Sequence, residues 1–512
     1  MKNKFIPVVA VIFITGITSC KKSFMEQSSP NSVNIEQGMN TEADVALAVN
    51  GAYEALRSSN CIGEEAILWT DDRSDDYNST DNQSNSGDPF QFTAFALAPI
   101  NPYLYNHWVA LYNPIVRANV VLSQIDKISF ANESTKTQYI AEMKFIRAVM
   151  YFMLVREFGD VPVVTERLTN PEQVEALTYR RKREEVYAQI FTDLKDVTES
   201  NLPVIQPASG KGRASLQAAN AMLGKAYLTA AASGVDAANA TANLNNAKNY
   251  LMACYNQKTF AKLSDIPFAD VFDVAKEATN PEIIWQISYK QGDPTYSSAI
   301  ARNNQATGEN TNSLFVSTGT GRAPTLDLVK EFEANDIRKN FTFKYAAHPS
   351  VQNNYITKFR DASAAASNLG RGGNDWILMR YADVVLCLAE VSMLLNDEAN
   401  AIVYLDMVRS RAGLPGYTAM QGDAGYKAKF PTLKLAILHE RRMELAFEHH
   451  RWHDLVRFFT PEQLVAYFKQ KSQADYNNSP LSNIGTKDYY FPIPLDENKL
   501  DPEKMYQNPG YE

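Results

Sequence analysis

Cysteine is nearly absent: four in 512 residues, at positions 20, 61, 254 and 387. Cys20 closes an apolar leader, and the other three are too scattered to frame a disulfide-stapled fold. Cys387, inside the apolar run VVLCLAE, is expected to be a buried structural thiol. Histidine is scarce too, six in all. His449 and His453 stand four apart beside His450 and Glu448, a spacing a helix can turn toward a metal, but they fall inside an apolar packing stripe and no metal is expected. His439-Glu440 runs on into Arg441, so the H-E-x-x-H pattern of zinc hydrolases is missing. G-x-S-x-G is absent, and 319–321 is too short for a phosphate-binding loop. With 50 basic and 58 acidic residues, a net charge of −8 and no basic run, nucleic acid is not an expected partner. The acid-rich stretch 71–88 lacks calcium-loop spacing and reads as a solvated loop. Glycoside hydrolysis needs two carboxylates facing one cleft, which no local pattern here marks out. The chain is expected to be no enzyme and to carry no cofactor.

What is present begins with a leader. Lys2 and Lys4 precede an apolar core at 5–17 that ends in Ile17-Thr18-Ser19-Cys20. That core is too short to span a bilayer, and no later stretch is apolar enough to do so. It resembles a bacterial lipobox, which would make 1–19 a signal peptide, Cys20 the acylated lipid anchor and 20–40 a tether. Several acyl chains hold a protein on a membrane at about 0.8 kcal/mol per buried CH2. Residues 41–512 are expected to form a single domain.

Helical spacing of apolar residues recurs through that domain. Helices are expected over 41–57, with Thr41 as N-cap, over 105–127, over 135–158, stopped by Gly159, and over 183–199. The run RASLQAANAMLGKAYLTAAAS carries Leu223-Gly224-x-x-Tyr227, the core of a tetratricopeptide first helix, with 247–255 as its partner. Residues 381–395 and 399–412 read as another pair. The fold class is therefore mainly α: about four tetratricopeptide-like hairpins stacked as a curved scaffold, with a few short strands, one of them at 281–287. Two irregular polar insertions interrupt it, near 58–102 and 265–375. Residues 436–459 carry Leu438, Leu445, Trp452 and Phe459 at seven-residue spacing, the stripe of a docked helix. Glu440, Glu444 and Glu448 share that stretch at four-residue spacing and would repel one another unless neutralised. Arg441, Arg442, Arg451 and Arg457 point to a partly buried Glu/Arg lattice. The proline-rich tail, 488–511, should lie as extended chain over the scaffold.

Three segments resemble the SusD/RagB family of outer-membrane lipoproteins: ERRMELAFEHHRWHDLVRF, KFIRAVMYFMLVREFGDVPVV and the closing YYFPIPLDENKLDPEKMYQNPGY. His449 replaces a family glycine, and His453 stands at a usually aromatic position. The resemblance implies a SusD-like helical superhelix, lipid-anchored on the outer membrane and exposed at the cell surface. It implies capture of oligo- or polysaccharide and delivery to a SusC-like TonB-dependent β-barrel transporter, over which the chain acts as a lid. An oligopeptide-binding lid and a lipid-anchored scaffold for protein partners are the alternatives.

Aromatics reach 11%, with 26 Tyr and 25 Phe. Trp108, Trp285 and Trp452 sit in periodic segments and are expected in the core, while Trp376, at a helix edge, is ambiguous. Trp69, Tyr77, Phe90, Phe92, Tyr289, Tyr296 and Phe315 fall in the two polar insertions, where exposed rings can stack on pyranose faces. Arg73, Arg302 and Asn303 are the polar companions expected to bond sugar hydroxyls.

Overall fold

The computed structural model describes residues 38–64, 66–78, 89–315, 319, 322–367, 370–476 and 480–512. The leader, Cys20 and most of the tether lie outside the described residues. Helix α1 (Glu42–Leu56) starts at a reciprocal capping box, in which the Thr41 side chain accepts from the Asp44 amide and the Asp44 carboxylate accepts from Thr41. Asn101 caps α2 (Pro102–Gln124), whose first residue is a proline with no amide to satisfy. Helix α3 (Glu133–Phe158) stops at Gly159, whose φ of 76° few other residues adopt. Then follow α4 (Arg183–Thr198), α5 (Leu216–Ala232), α6 (Ala240–Asn256), α7 (Tyr381–Leu394) and α8 (Glu398–Arg411).

These eight helices pack as four hairpins, α1/α2, α3/α4, α5/α6 and α7/α8, and each hairpin touches the next through α2/α3, α4/α5 and α6/α7. Each buries a face that its neighbour supplies, which is the logic of a solenoid. Gly224 shows why its position excludes a side chain. A Cβ there would sit 2.7 Å from Leu251 Cγ and 2.9 Å from the Leu251 amide nitrogen across the α5/α6 contact.

The long insertion leaves and rejoins the stack on one ribbon. Ile283–Ile287 pairs antiparallel with Trp376–Arg380, which runs directly into α7. Trp376 is core, packed 5.5 Å from the Phe359 ring. The tail is mostly extended, with a single α-turn at Leu495–Asn498. The Phe491 amide donates to the Glu157 carbonyl at 2.7 Å, and the Asn508 amide group donates to the Phe158 carbonyl at 2.9 Å.

Residues 436–459 differ from the expected single helix. They form α9 (Leu433–Leu445) and α10 (Arg451–Phe458), joined by a turn in which Phe447 and His449 take φ of 67° and 60°. A helix cannot continue through left-handed residues. The family glycine falls at His449, where a β-carbon costs roughly 1 kcal/mol of backbone strain.

The charge lattice is buried outright rather than in part. Glu444 accepts from Arg338 at 2.9 Å and Arg380 at 2.5 Å, and also from Arg411. Glu448 is held by Arg380 at 2.7 Å and Lys358 at 2.6 Å. Arg441 and Arg457 grip Asp454 from two sides, each at 2.8 Å. Guanidinium forks and the Lys358 ammonium meet these carboxylates from more than one direction, so each of these charges is paired in the low-dielectric interior.

Candidate functional site

Four of the ten residues expected at a ligand surface are core. Trp69 stacks on His107 at 4.0 Å and meets Phe92 edge-on at 5.3 Å, and both Trp69 and Phe92 are buried. Tyr77 pairs with Pro324 in a short ribbon and abuts Phe447. Arg73 lies between Trp452 and Phe491, 4.6 and 4.3 Å from their ring centroids, and donates to the Asp488 carbonyl. The acid-rich stretch is not solvated either, as far as it lies within the described residues. Asp75 is buried against Arg451 at 2.7 Å, Asp76 against Arg442 at 2.8 Å. Burial alone would raise Asp75, but Arg442 and Arg451 outweigh it and hold its carboxyl well below the usual range. The described stretch 66–78 of the first insertion is thus wedged beneath α9, α10 and the tail. Phe90 is half-buried in the short helix Phe90–Thr93.

The other five lie along one lip of the second insertion. Past the ribbon, the Tyr289 amide donates to Asp375 Oδ1 at 2.7 Å. Burial pushes the Asp375 carboxyl up to about 6, against the pull of that amide. The Glu64 amide donates to the Tyr289 hydroxyl at 3.3 Å, while the Glu64 carboxylate accepts from the Ala299 amide at 2.7 Å and from Ser298. Glu64 therefore ties Tyr289 to the Ser298–Ala299 segment. Between them, Asp293 accepts from the Thr295 and Tyr296 amides at 2.9 and 3.1 Å, and the Lys290 amide bonds the Tyr296 carbonyl at 2.8 Å. This closed turn presents Tyr296 with 45% of its surface exposed.

Arg57, at the C-terminal end of α1, faces both rings. Its guanidinium carbon is 4.4 Å from the Tyr296 centroid and 5.8 Å from that of Tyr289, and Glu54 holds it at 2.6 Å. Together with Asn50, Tyr53 and Arg213 they line a groove of about 410 Å³, within the size range of small-ligand sites. Farther along, the Arg302 guanidinium stands 5.6 Å from the centroid of Phe315, which is 36% exposed, and donates to Asn303. Gly370, at φ 59°, makes room for both, since a Cβ there would meet Arg302 and Phe315 at 2.8 Å. Arg57, Tyr53 and Asp375 were missed by sequence reasoning. Arg57 and Tyr53 belong to a regular scaffold helix, and their only signal is that Arg57 borders a polar insertion.

No metal centre forms from the histidines. Glu448 is spent on Arg380 and Lys358, and the Lys225 ammonium lies 3.3 Å from His450 Nδ1, on the side where a metal would have to bind. Glu333, His439 and Glu440 converge within 4.8 Å, but Arg409 pairs with both carboxylates at 2.8 and 3.1 Å, so they belong to the lattice. Among the described residues no helix is long and apolar enough to cross a membrane.

Known proteins share this architecture over most of the chain. Residues 348–511 match the family described as the SusD family, and residues 23–228 match the family described as starch-binding associating with outer membrane. SusD-like protein P25 of Formosa agariphila is 26% identical, with 98% of this chain and 99% of that one aligned. Among solved structures, a SusD homolog from Bacteroides thetaiotaomicron aligns over 94% of this chain and 99% of its own at a TM-score of 0.75 and 21% identity. Surface glycan-binding protein A from B. thetaiotaomicron, in complex with laminarihexaose, aligns over 92% of this chain and all of its own at a TM-score of 0.72 and 19% identity. The fold is thus that of the mainly α, tetratricopeptide-like SusD proteins. This chain belongs to the SusD/RagB family.

Proposed function

We propose that this chain is a surface lipoprotein that captures glycans at the Tyr289–Tyr296–Arg57 groove and passes them to a TonB-dependent β-barrel transporter as its lid. The observation that carries this reading is Tyr296: a half-exposed ring on a hydrogen-bonded turn, with its guanidinium partner already in place. A pyranose presents an apolar C–H face to such a ring and hydroxyls to Arg57 and Asn50. Pre-set rings spare the ordering cost that would otherwise weaken binding. Arg302, Asn303 and Phe315 extend the surface for further sugar units. The laminarihexaose-bound relative makes a β-linked glucan the first ligand to offer. No bond is broken in this account. In native gels cast with laminarin, the wild-type chain should be retarded and Tyr296→Ala should run freely; equal migration of the two would sink the groove.

Delivery needs a protein partner and an anchor. Tyr105, Val109 and Val116 project along one exposed face of α2, and Leu47 of the adjoining α1 is exposed as well. Such an apolar stripe suits a protein interface, and it is the face assigned here to the transporter. Val109→Asp should abolish co-purification with the β-barrel. Anchoring through Cys20 predicts palmitate labelling that disappears in Cys20→Ala.

A further inference from the structure

Two sizeable cavities among the described residues lie away from the lip, and no residue of that groove lines either of them. One, of about 820 Å³, opens between the tail, the start of α4 and the ends of α5 and α7. The other, of about 680 Å³, lies over α9 and α11 (Pro461–Lys469). Both are lined by Lys434, Phe459 and Gln463, so the two cavities adjoin at those residues and together make one long trough-like surface.

Its charges are unevenly committed. Asp160 bonds Lys182 at 3.1 Å, Glu390 is forked by Arg457 at 2.8 and 2.9 Å, and Asp327 lies between Arg442 at 2.8 Å and Lys471 at 2.7 Å. Glu331 is taken by Arg442 and by His439 at 2.9 Å. By contrast, Arg183, Lys434 and Lys429 have no ion-pair partner among the described residues. The Arg183 guanidinium donates to the Tyr490 hydroxyl at 2.5 Å, while the Arg183 backbone amide donates to Asp160 Oδ1 at 3.0 Å, and the Lys434 ammonium faces the Phe459 ring at 5.8 Å. Glu462 is the one lining carboxylate without a cation. A chain with an overall net charge of −8 thus keeps an extended strip where uncommitted cations outnumber uncommitted carboxylates, interleaved with half-buried Tyr490 and Phe459.

We infer that this trough is a second ligand site, which takes an acidic polysaccharide whose charge is carried by uronate carboxylates or sulfate esters. The length calls for a polymer, the spare cations for an anion, and the rings for sugar faces. A peptide fits less well, because the walls over α9 and α11 are helical and their backbone groups are already spent within the helices.

The test is native affinity electrophoresis of the full chain in gels containing polygalacturonate, dextran sulfate or neutral laminarin, with polyglutamate as a soluble competitor. Polygalacturonate identifies a carboxylate ligand and dextran sulfate a sulfated one. At least one acidic glycan should retard the wild type, less so as salt rises. The Arg183→Glu/Lys434→Glu double variant should lose at least tenfold in affinity and Lys434→Gln a few-fold, each with an unchanged melting temperature. Tyr296→Ala should leave acidic-glycan binding intact, which separates this site from the lip. The inference is overturned if neither acidic glycan retards the chain, if retardation survives the charge reversal, or if polyglutamate displaces the glycan as well as free polygalacturonate does.

Discussion

Arg57 and Arg73 are sixteen residues apart, both border polar aromatic sequence, and both guanidiniums face two rings. Arg73 is enclosed between Trp452 and Phe491, whereas Arg57 opens with Tyr289 and Tyr296 onto a groove. The same contrast separates the two insertions. The described stretch 66–78 of the first lies beneath the C-terminal helices and supplies counter-charge, Asp75 and Asp76, to Arg442 and Arg451. In the second, the turn at Asp293 holds a ring in solvent. Irregular sequence becomes core or binding surface according to what the rest of the chain places on it.

Substitutions can break this contrast, and the buried side should give the largest effects. Arg380→Met leaves Glu282, Glu444 and Glu448 short of a buried partner and should cost about 3–5 kcal/mol in urea unfolding; a loss below 1 kcal/mol would mean the lattice is not sealed from water. Trp69→Ala should cost a similar roughly 3–5 kcal/mol, because it empties a site enclosed by His107 and Phe92.

Acid should act next. Burial favours neutral Asp454, but Arg441 and Arg457 outweigh it and hold its carboxyl at about 2, against an ordinary value of 3.8. A depressed carboxyl binds its proton more weakly in the folded than in the unfolded state. Its contribution, on the order of 2 kcal/mol, is therefore whole above about pH 4 and lost as pH falls through 3.8 toward 2. Chemical denaturation between pH 5 and 2.5 should show the decline, and removing the carboxylate by Asp454→Asn should flatten it.

Gly224→Ala gains helix propensity of about 1 kcal/mol but overpacks against a backbone atom at 2.9 Å, a cost of roughly 1–3 kcal/mol. A net drop of about 1 kcal/mol in thermal unfolding is expected. Tyr296→Ala is the smallest, within about 0.5 kcal/mol; a larger loss would place that ring in the core with Trp69.

Much of the scaffold was legible because its signals are local. Thr41 capping α1, Gly159 ending α3 and the Leu223-Gly224-x-x-Tyr227 core each act within one or two helical turns. The Glu/Arg lattice was legible as a need for neutralisation, but its depth was not, since Arg338, Arg380 and Arg411 reach it from distant segments. The candidate site was half legible. Tyr289, Tyr296, Arg302, Asn303 and Phe315 lie on the lip, whereas Trp69, Arg73, Tyr77 and Phe92 carry the same local signal and are buried.

Apolar spacing, caps and glycines act over a few residues, so the chain by itself determined that helical hairpins form, roughly where they end and which family they build. Which rings face water is a property of contacts hundreds of residues apart. Asp75 meets Arg451 and Glu64 meets Ser298 only after the hairpins have stacked. Tertiary structure alone decided that Trp69, Arg73 and Tyr77 of the first insertion are sealed and that the second offers Tyr296, because exposure depends on what covers a residue and not on the residue itself.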